Sequence, residues 1–158
     1  MNWNDIKKIH SYLPETSKGW HQHSNGNGWV QDTARVSDTA YISETALVYE
    51  NACVYGNVYI FEKAHVYGHA WISGNAHVYG HAWIYGTAHV YGHAHVYGHA
   101  HVYGTAWIYE NAHVYGYARV CGTARISENA HVYGHARVCG TARIYGHTYV
   151  SGTTHVSE

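Results

Sequence analysis

Ala76-His77-Val78-Tyr79-Gly80-His81-Ala82-Trp83-Ile84-Tyr85-Gly86-Thr87-Ala88-His89-Val90-Tyr91-Gly92-His93 is one six-residue word written three times, and its reading decides the fold. The word is Ala-x-Val/Ile-x-Gly/Glu/Asp-x. Outward from this stretch it continues without insertion from residue 28 to residue 158, in 22 copies of which the last lacks only its final letter. A unit with two apolar anchors cannot form a core alone and must stack on copies of itself, so the chain is a solenoid. Ala76 and Val78 lie two apart and face one side of a short strand, while His77 and Tyr79 face the other. Gly80-His81 is turn chemistry, and a turn every six residues bends the chain into a coil with few residues per side.

The sixth letter, sorted by every third word, falls into three unlike columns. Thr33, Asn51, His69, Thr87, Thr105, Thr123 and Thr141 form a Thr-rich corner. Thr39, Asn57, Asn75, His93, Asn111, Asn129 and His147 form an Asn-rich one, and Thr45, Lys63, His81, His99, Tyr117, His135 and Thr153 a His-rich one. The sequence therefore predicts coils of 18 residues and three strands, a little over seven of them. At a strand spacing of about 4.8 Å that prism is roughly 35 Å long.

Here the residues carry a resemblance. Val48-Tyr49-Glu50-Asn51-Ala52 and Ile108-Tyr109-Glu110-Asn111-Ala112 resemble the hexapeptide repeat of left-handed parallel β-helices, an aliphatic residue followed four places later by a small one. The opening His21-Gln22-His23-Ser24-Asn25-Gly26-Asn27-Gly28-Trp29-Val30, running into Asp32-Thr33-Ala34 and Asp38-Thr39-Ala40, is similar to YdcK-type proteins, described as acyltransferases of this superfamily. The resemblance implies an all-β fold, a single left-handed parallel β-helix. It also implies trimers, with acyl-CoA as substrate in a groove between adjacent helices and a His as general base. It leaves function open, because such coils serve both as enzymes and as inert scaffolds.

Residues 1–27 differ in kind. Trp3, Ile6, Ile9 and Tyr12 or Leu13 recur at helical spacing and Pro14 ends the run, which predicts a short amphipathic helix over 4–12 as a cap on the first coil. The other end shows only a change of the inner Ala to Thr148 and Thr154, and end-to-end association of copies is the expectation there. The single Pro suits strands that all need ladder hydrogen bonds. No apolar run reaches membrane length and Met1–Trp20 lacks a signal-peptide core, so a soluble, cytoplasmic protein is expected. A formal charge of -1 and nine Lys plus Arg argue against a nucleic-acid partner. Cys121 and Cys139, 18 apart, are expected to be stacked neighbours, but parallel side-chain directions do not favour a disulfide. A reduced pair of packing residues is the expectation.

Histidine carries most of the chemistry, with 17 in 158 residues. His77, His95, His113 and His131 should stack in one file beside Tyr79, Tyr97, Tyr115 and Tyr133. The bland reading is a ladder of stacked rings covering the sheet. The sharp one is a metal site, with His77, His81, His95 and His99 as the candidate ligands. Ligands must converge on one point, however, and a flat face keeps them parallel. Two charged rings about 5 Å apart repel by roughly 1 kcal/mol in water and by several at an effective dielectric of about 20, so each His should lower its neighbours' pKa. Arg119 with Arg137, and Arg125 with Arg143 behind Trp71 and Trp107, form two further files. These are candidates for an anionic or carbohydrate ligand, guanidinium for phosphate or carboxylate and indole for sugar rings.

The chain offers no loop excursion to build a catalytic pocket and no His that stands apart as a base. Ice binding wants small hydroxyl residues on the flat face, whereas here Thr lies at a corner. The favoured reading is a non-catalytic scaffold or multivalent binding protein that self-associates by end or face contacts and needs no cofactor. Acyl-CoA-dependent acyltransfer is the alternative.

Overall fold

Burial of two letters per word builds the whole interior. In the computed structural model, which describes residues 1–157, Ala76, Val78, Ala82, Ile84, Ala88 and Val90 are each fully buried, and the same letters repeat this from Ala40 to Val138. Most strands are two residues long, as in His77–Val78, Trp83–Ile84 and His89–Val90. Each pairs in parallel with the strand one coil on, His77 opposite His95 and Val78 opposite Val96. The result is a parallel β-solenoid of about seven coils with three sheets. The first sheet runs from Trp20–Gln22 through Trp83–Ile84 to His155–Ser157; the second from Arg35–Val36 to Arg143–Ile144; the third from Tyr41–Ile42 to Tyr149–Val150.

The strands stop where the fifth letter turns the chain. Gly80 has φ of 75°, and a Cβ there would lie 2.8 Å from the backbone N and O of Gly98 in the next coil. Glu50, Glu62, Glu110 and Glu128 hold the same left-handed backbone at φ of 57–58°. The sixth letter then reaches along the axis: the N–H groups of Asn75, His81 and Thr87 donate to the carbonyls of Gly92, Gly98 and Gly104 at 2.8, 2.6 and 2.8 Å. Thr87, Thr105 and Thr123 add a hydroxyl donated to the same carbonyls, at 3.0–3.1 Å. The Thr-rich corner is thus part of the backbone ladder, and its hydroxyl protons are already committed.

Residues 1–27 cover the start of the solenoid in two ways. The helix is Trp3–Ile9, shorter than the 4–12 that the spacing predicts. It begins early because Asn2 and Asp5 form a capping box, the Asn2 side chain accepting from the Asp5 N–H at 3.0 Å and the Asp5 carboxylate accepting from the Asn2 N–H at 3.3 Å. It ends early because His10 leaves helical geometry at φ −124°, ψ 79°, with its Nε2 hydrogen-bonded to the Thr45 carbonyl at 2.9 Å. Trp3, Ile6 and Leu13 pack on Trp29 and Leu47, which point outward from the first sheet. The helix therefore lies along a side face. The open strand edges are covered instead by Trp20–Gln22, antiparallel to Trp29–Gln31, and by the loop at 23–28, where Gly28 N–H donates to Ile42 O and Ile42 N–H to Asn25 O. At the far end the Thr148 and Thr154 hydroxyls donate to the Tyr145 and Ser151 carbonyls, both at 2.7 Å.

One expectation is overturned. Cys121 and Cys139 are joined by a disulfide across one coil, their Cα atoms 4.5 Å apart. That separation lies inside the range of about 4.4–6.8 Å that a disulfide spans. The fourth letter sits where the strand bends into the corner, and its short Cβ–Sγ arms need only rotate toward each other. Disulfides are rare where thiols are kept reduced, so this bond does not speak for the cytoplasmic placement expected from sequence. No helix among the described residues is long and apolar enough to cross a membrane.

Candidate functional site

The outward letters form continuous files along the axis, and the third sheet carries the most regular. His77, His95, His113 and His131 stack at 4.8, 4.7 and 4.7 Å, the last two steps within 2° of parallel. Tyr79, Tyr97, Tyr115 and Tyr133 stack beside them at 4.8, 4.8 and 4.9 Å. The two files meet edge-on: Tyr97 stands at 88° to His113, and Tyr115 at 88° to His131. Tyr97, His113, Tyr115 and His131 thus each have ring faces above and below and a perpendicular ring beside them. This geometry follows from identical letters in register one strand spacing apart.

In three of these imidazoles, His77, His95 and His113, stacking buries the ring enough to favour the neutral form. Burial lowers the pKa of His77, His95 and His113, to about 4 for His95, and repulsion from neighbouring imidazoles adds to it in each. The mutual lowering expected from sequence is present, but desolvation leads it. Tyr97 moves the other way for the same reason, pushed up to about 12. Around His95 and Tyr97 this face is an uncharged surface of ring edges and hydroxyls at neutral pH.

The candidate metal ligands separate into two stacks. His77 lies over His95 on the flat face, and His81 over His99 at the adjacent corner, the latter at 4.8 Å. Among the described residues, no three His, Cys, Asp or Glu side chains come together as a metal ligand set.

The Trp and Arg files fall on the other two faces. Trp71, His89, Trp107, Arg125 and Arg143 follow one another on the second sheet. Trp107 is covered on one side by His89 at 4.8 Å and on the other by the Arg125 guanidinium at 5.3 Å, so its indole offers an edge and not a face. Trp71 is 48 % exposed and keeps more of its ring open. On the first sheet His101, Arg119 and Arg137 stand in register. Beside them runs the corner stack of His99, Tyr117 and His135 at 4.8 and 5.0 Å. Between these two walls lies a groove of about 530 Å³ lined by all six residues. A second groove, of about 400 Å³, holds Arg125 and Arg143 together with Glu128 and Tyr109.

Sequence reading missed one cluster, built around the buried imidazoles of His10 and His65. Under the N-terminal segment the Tyr12 hydroxyl is hydrogen-bonded to Nδ1 of His65 at 2.8 Å, and the rings of His10 and His65 meet edge to face at 4.7 Å. His65 is 3 % exposed, and burial followed by the charges of His10 and His81 depresses its pKa to about 3. Burial pushes Tyr12 up to about 12 and raises Tyr49 further. The only signal was that His65 follows Leu47 and Trp29 in the file that residues 1–13 cover.

Fold and faces together define a class, a three-sided parallel β-solenoid whose outward files are stacked rings that give way to paired guanidinium groups. Beyond the class, a scan with family models, a search of curated proteins and a search of solved structures each return no match.

Proposed function

We propose that this chain is a non-catalytic scaffold of the left-handed hexapeptide-repeat type, which presents its ring and guanidinium files as a multivalent surface for binding and self-association. The observation that carries the reading is the unbroken register of the outward files. The His77-to-His131 stack holds its spacing to 4.7–4.8 Å over four coils, so any contact made at one coil is available again at the next. Catalysis asks for one group set apart in a site that excludes water, whereas these imidazoles are near-equivalent and lie on open faces. Repeated weak contacts add through effective concentration, which rewards a regular surface. Large exposed aromatic faces mark contact with a partner or with other copies.

Light scattering over a concentration series, with and without acetyl-CoA, tests this. Concentration-dependent association by face or end contacts, indifferent to acetyl-CoA, is the expected result. A compact trimer that binds acetyl-CoA would replace the scaffold by the acyltransferase. A monomer at the highest concentration would remove both.

A further inference from the structure

Two arginine pairs stand in register one coil apart, Arg119 with Arg137 and Arg125 with Arg143. Like charges directly opposite in a ladder work against it, and more so as their surroundings become less polar. The two pairs differ in how this is relieved. Arg125 lies over the Trp107 indole, and its groove includes the carboxylate of Glu128. Arg119 and Arg137 have neither. Their groove is lined by His99, His101, Tyr117 and His135 besides themselves, with no Asp or Glu, and no ion pair reaches either guanidinium among the described residues.

The groove is therefore rich in donors and lacks an anion. Each guanidinium carries five N–H donors in a planar fork suited to an oxyanion, and two stacked forks place two fixed positive charges in one groove. The opposite wall adds the Tyr117 hydroxyl and the His99 and His135 ring nitrogens, held in place by their own stack. Both walls run along the solenoid axis, so the ligand enters from the side and need not displace any strand. A monoanion would leave one of the two charges uncompensated, whereas a dianion matches both.

We propose that the groove between the His99-Tyr117-His135 stack and the Arg119-Arg137 pair binds a tetrahedral dianion, a phosphate or sulfate group, bridged by the two guanidinium groups. This rests on the binding-surface reading above and gives it a ligand class and a place.

The test is titration of the full chain with inorganic phosphate, sulfate and acetate at constant ionic strength, followed by calorimetry. Saturable binding of phosphate, sulfate or both, with acetate at least about tenfold weaker, is expected, since a charge-assisted contact is lost with the second charge. Phosphate alone or sulfate alone would identify the source of the group. In R119Q/R137Q affinity should fall by more than about tenfold, while R125Q/R143Q, which removes the same net charge, should stay within about twofold. R119K/R137K keeps the charge without the fork and should lie between. Thermal melts of each variant check the fold. Failure of both dianions to saturate the protein, acetate binding as tightly, or equal losses in the two glutamine pairs would overturn the proposal. Light scattering on the unmodified chain separates the two claims: association without saturable anion binding leaves the scaffold reading standing, and a monomer that binds sulfate and loses it in R119Q/R137Q leaves the groove.

Discussion

Leu47 and Arg119 hold the same outward letter on the same sheet, linked through His65, Trp83 and His101. Leu47 is fully buried beneath Trp3, Ile6 and Leu13, whereas Arg119 is exposed in an open groove. Between them the file passes from apolar through imidazole and indole to guanidinium. The backbone is the same at every step, so the difference lies in what covers the letter. Over the first coils the chain covers its own face with a strap; further along it leaves paired charges and a covalent link between coils.

The largest effect should come from breaking the strap. Trp3 is nearly buried between Trp20 at 5.4 Å and Trp29 at 4.8 Å, and its indole N–H donates to the Pro14 carbonyl at 3.1 Å. Trp3→Ala should weaken docking of residues 1–13 by about 3–5 kcal/mol, the usual cost of truncating a core aromatic. Protease sensitivity before residue 20 should rise while the coils beyond residue 64 keep their melting temperature. A solenoid that melts as a whole in this variant would show that the strap is integral to the core, and the contrast between the two ends would fall.

The next effect belongs to the uncovered coils around Arg119. The Cys121–Cys139 disulfide closes one coil of 18 residues, and a loop of that length is worth about 3 kcal/mol in unfolded-chain entropy. C121S/C139S should shift the urea midpoint of the unreduced protein accordingly, and leave protease sensitivity of the strap unchanged. An unmoved midpoint would mean that ladder and core alone hold these coils.

The same contrast marks what the sequence could and could not disclose. Coil length, face assignment and the stacked files were legible because every inner letter repeats: Ala76, Val78 and their copies have one environment, and register follows from period. The arginine files were legible for the same reason. The groove beside Arg119 was not, because it depends on how the corner stack of His99, Tyr117 and His135 leans against a neighbouring file, a matter of side-chain direction. The disulfide was misjudged on the assumption that fourth letters point strictly parallel, as on a flat face. The helix of the strap was legible in its apolar spacing and in Pro14, but its seat on the side face was not, because nothing in residues 1–27 repeats; Trp20–Gln22 has no period to announce that it turns back on Trp29–Gln31, and Tyr12 no signal that it meets His65.

That last contact gives the smallest of these effects and the sharpest probe of the covered end. The groups facing His65 are His10 and Tyr12 from the strap, Tyr49 on the coil before it and His81 across the corner, with Lys63 beside His10. In the folded protein burial holds the His65 pKa near 3, against an ordinary value of 6.5, and lowers that of His10 as well. The opened form therefore takes up protons first as pH falls. The stability this cluster gives the strap is complete above about pH 6.5 and is lost progressively toward pH 3. Between pH 7 and pH 5 one such imidazole accounts for about 2 kcal/mol, or about a 30-fold fall in hydrogen-exchange protection of the strap amides after correction for intrinsic rate. His65→Gln, which does not titrate, should lose most of the pH dependence. Equal protection at the two pH values, or an undiminished fall in His65→Gln, would show that the strap is held by Trp3, Ile6 and Leu13 alone and that the imidazoles beneath it are packing without consequence for pH.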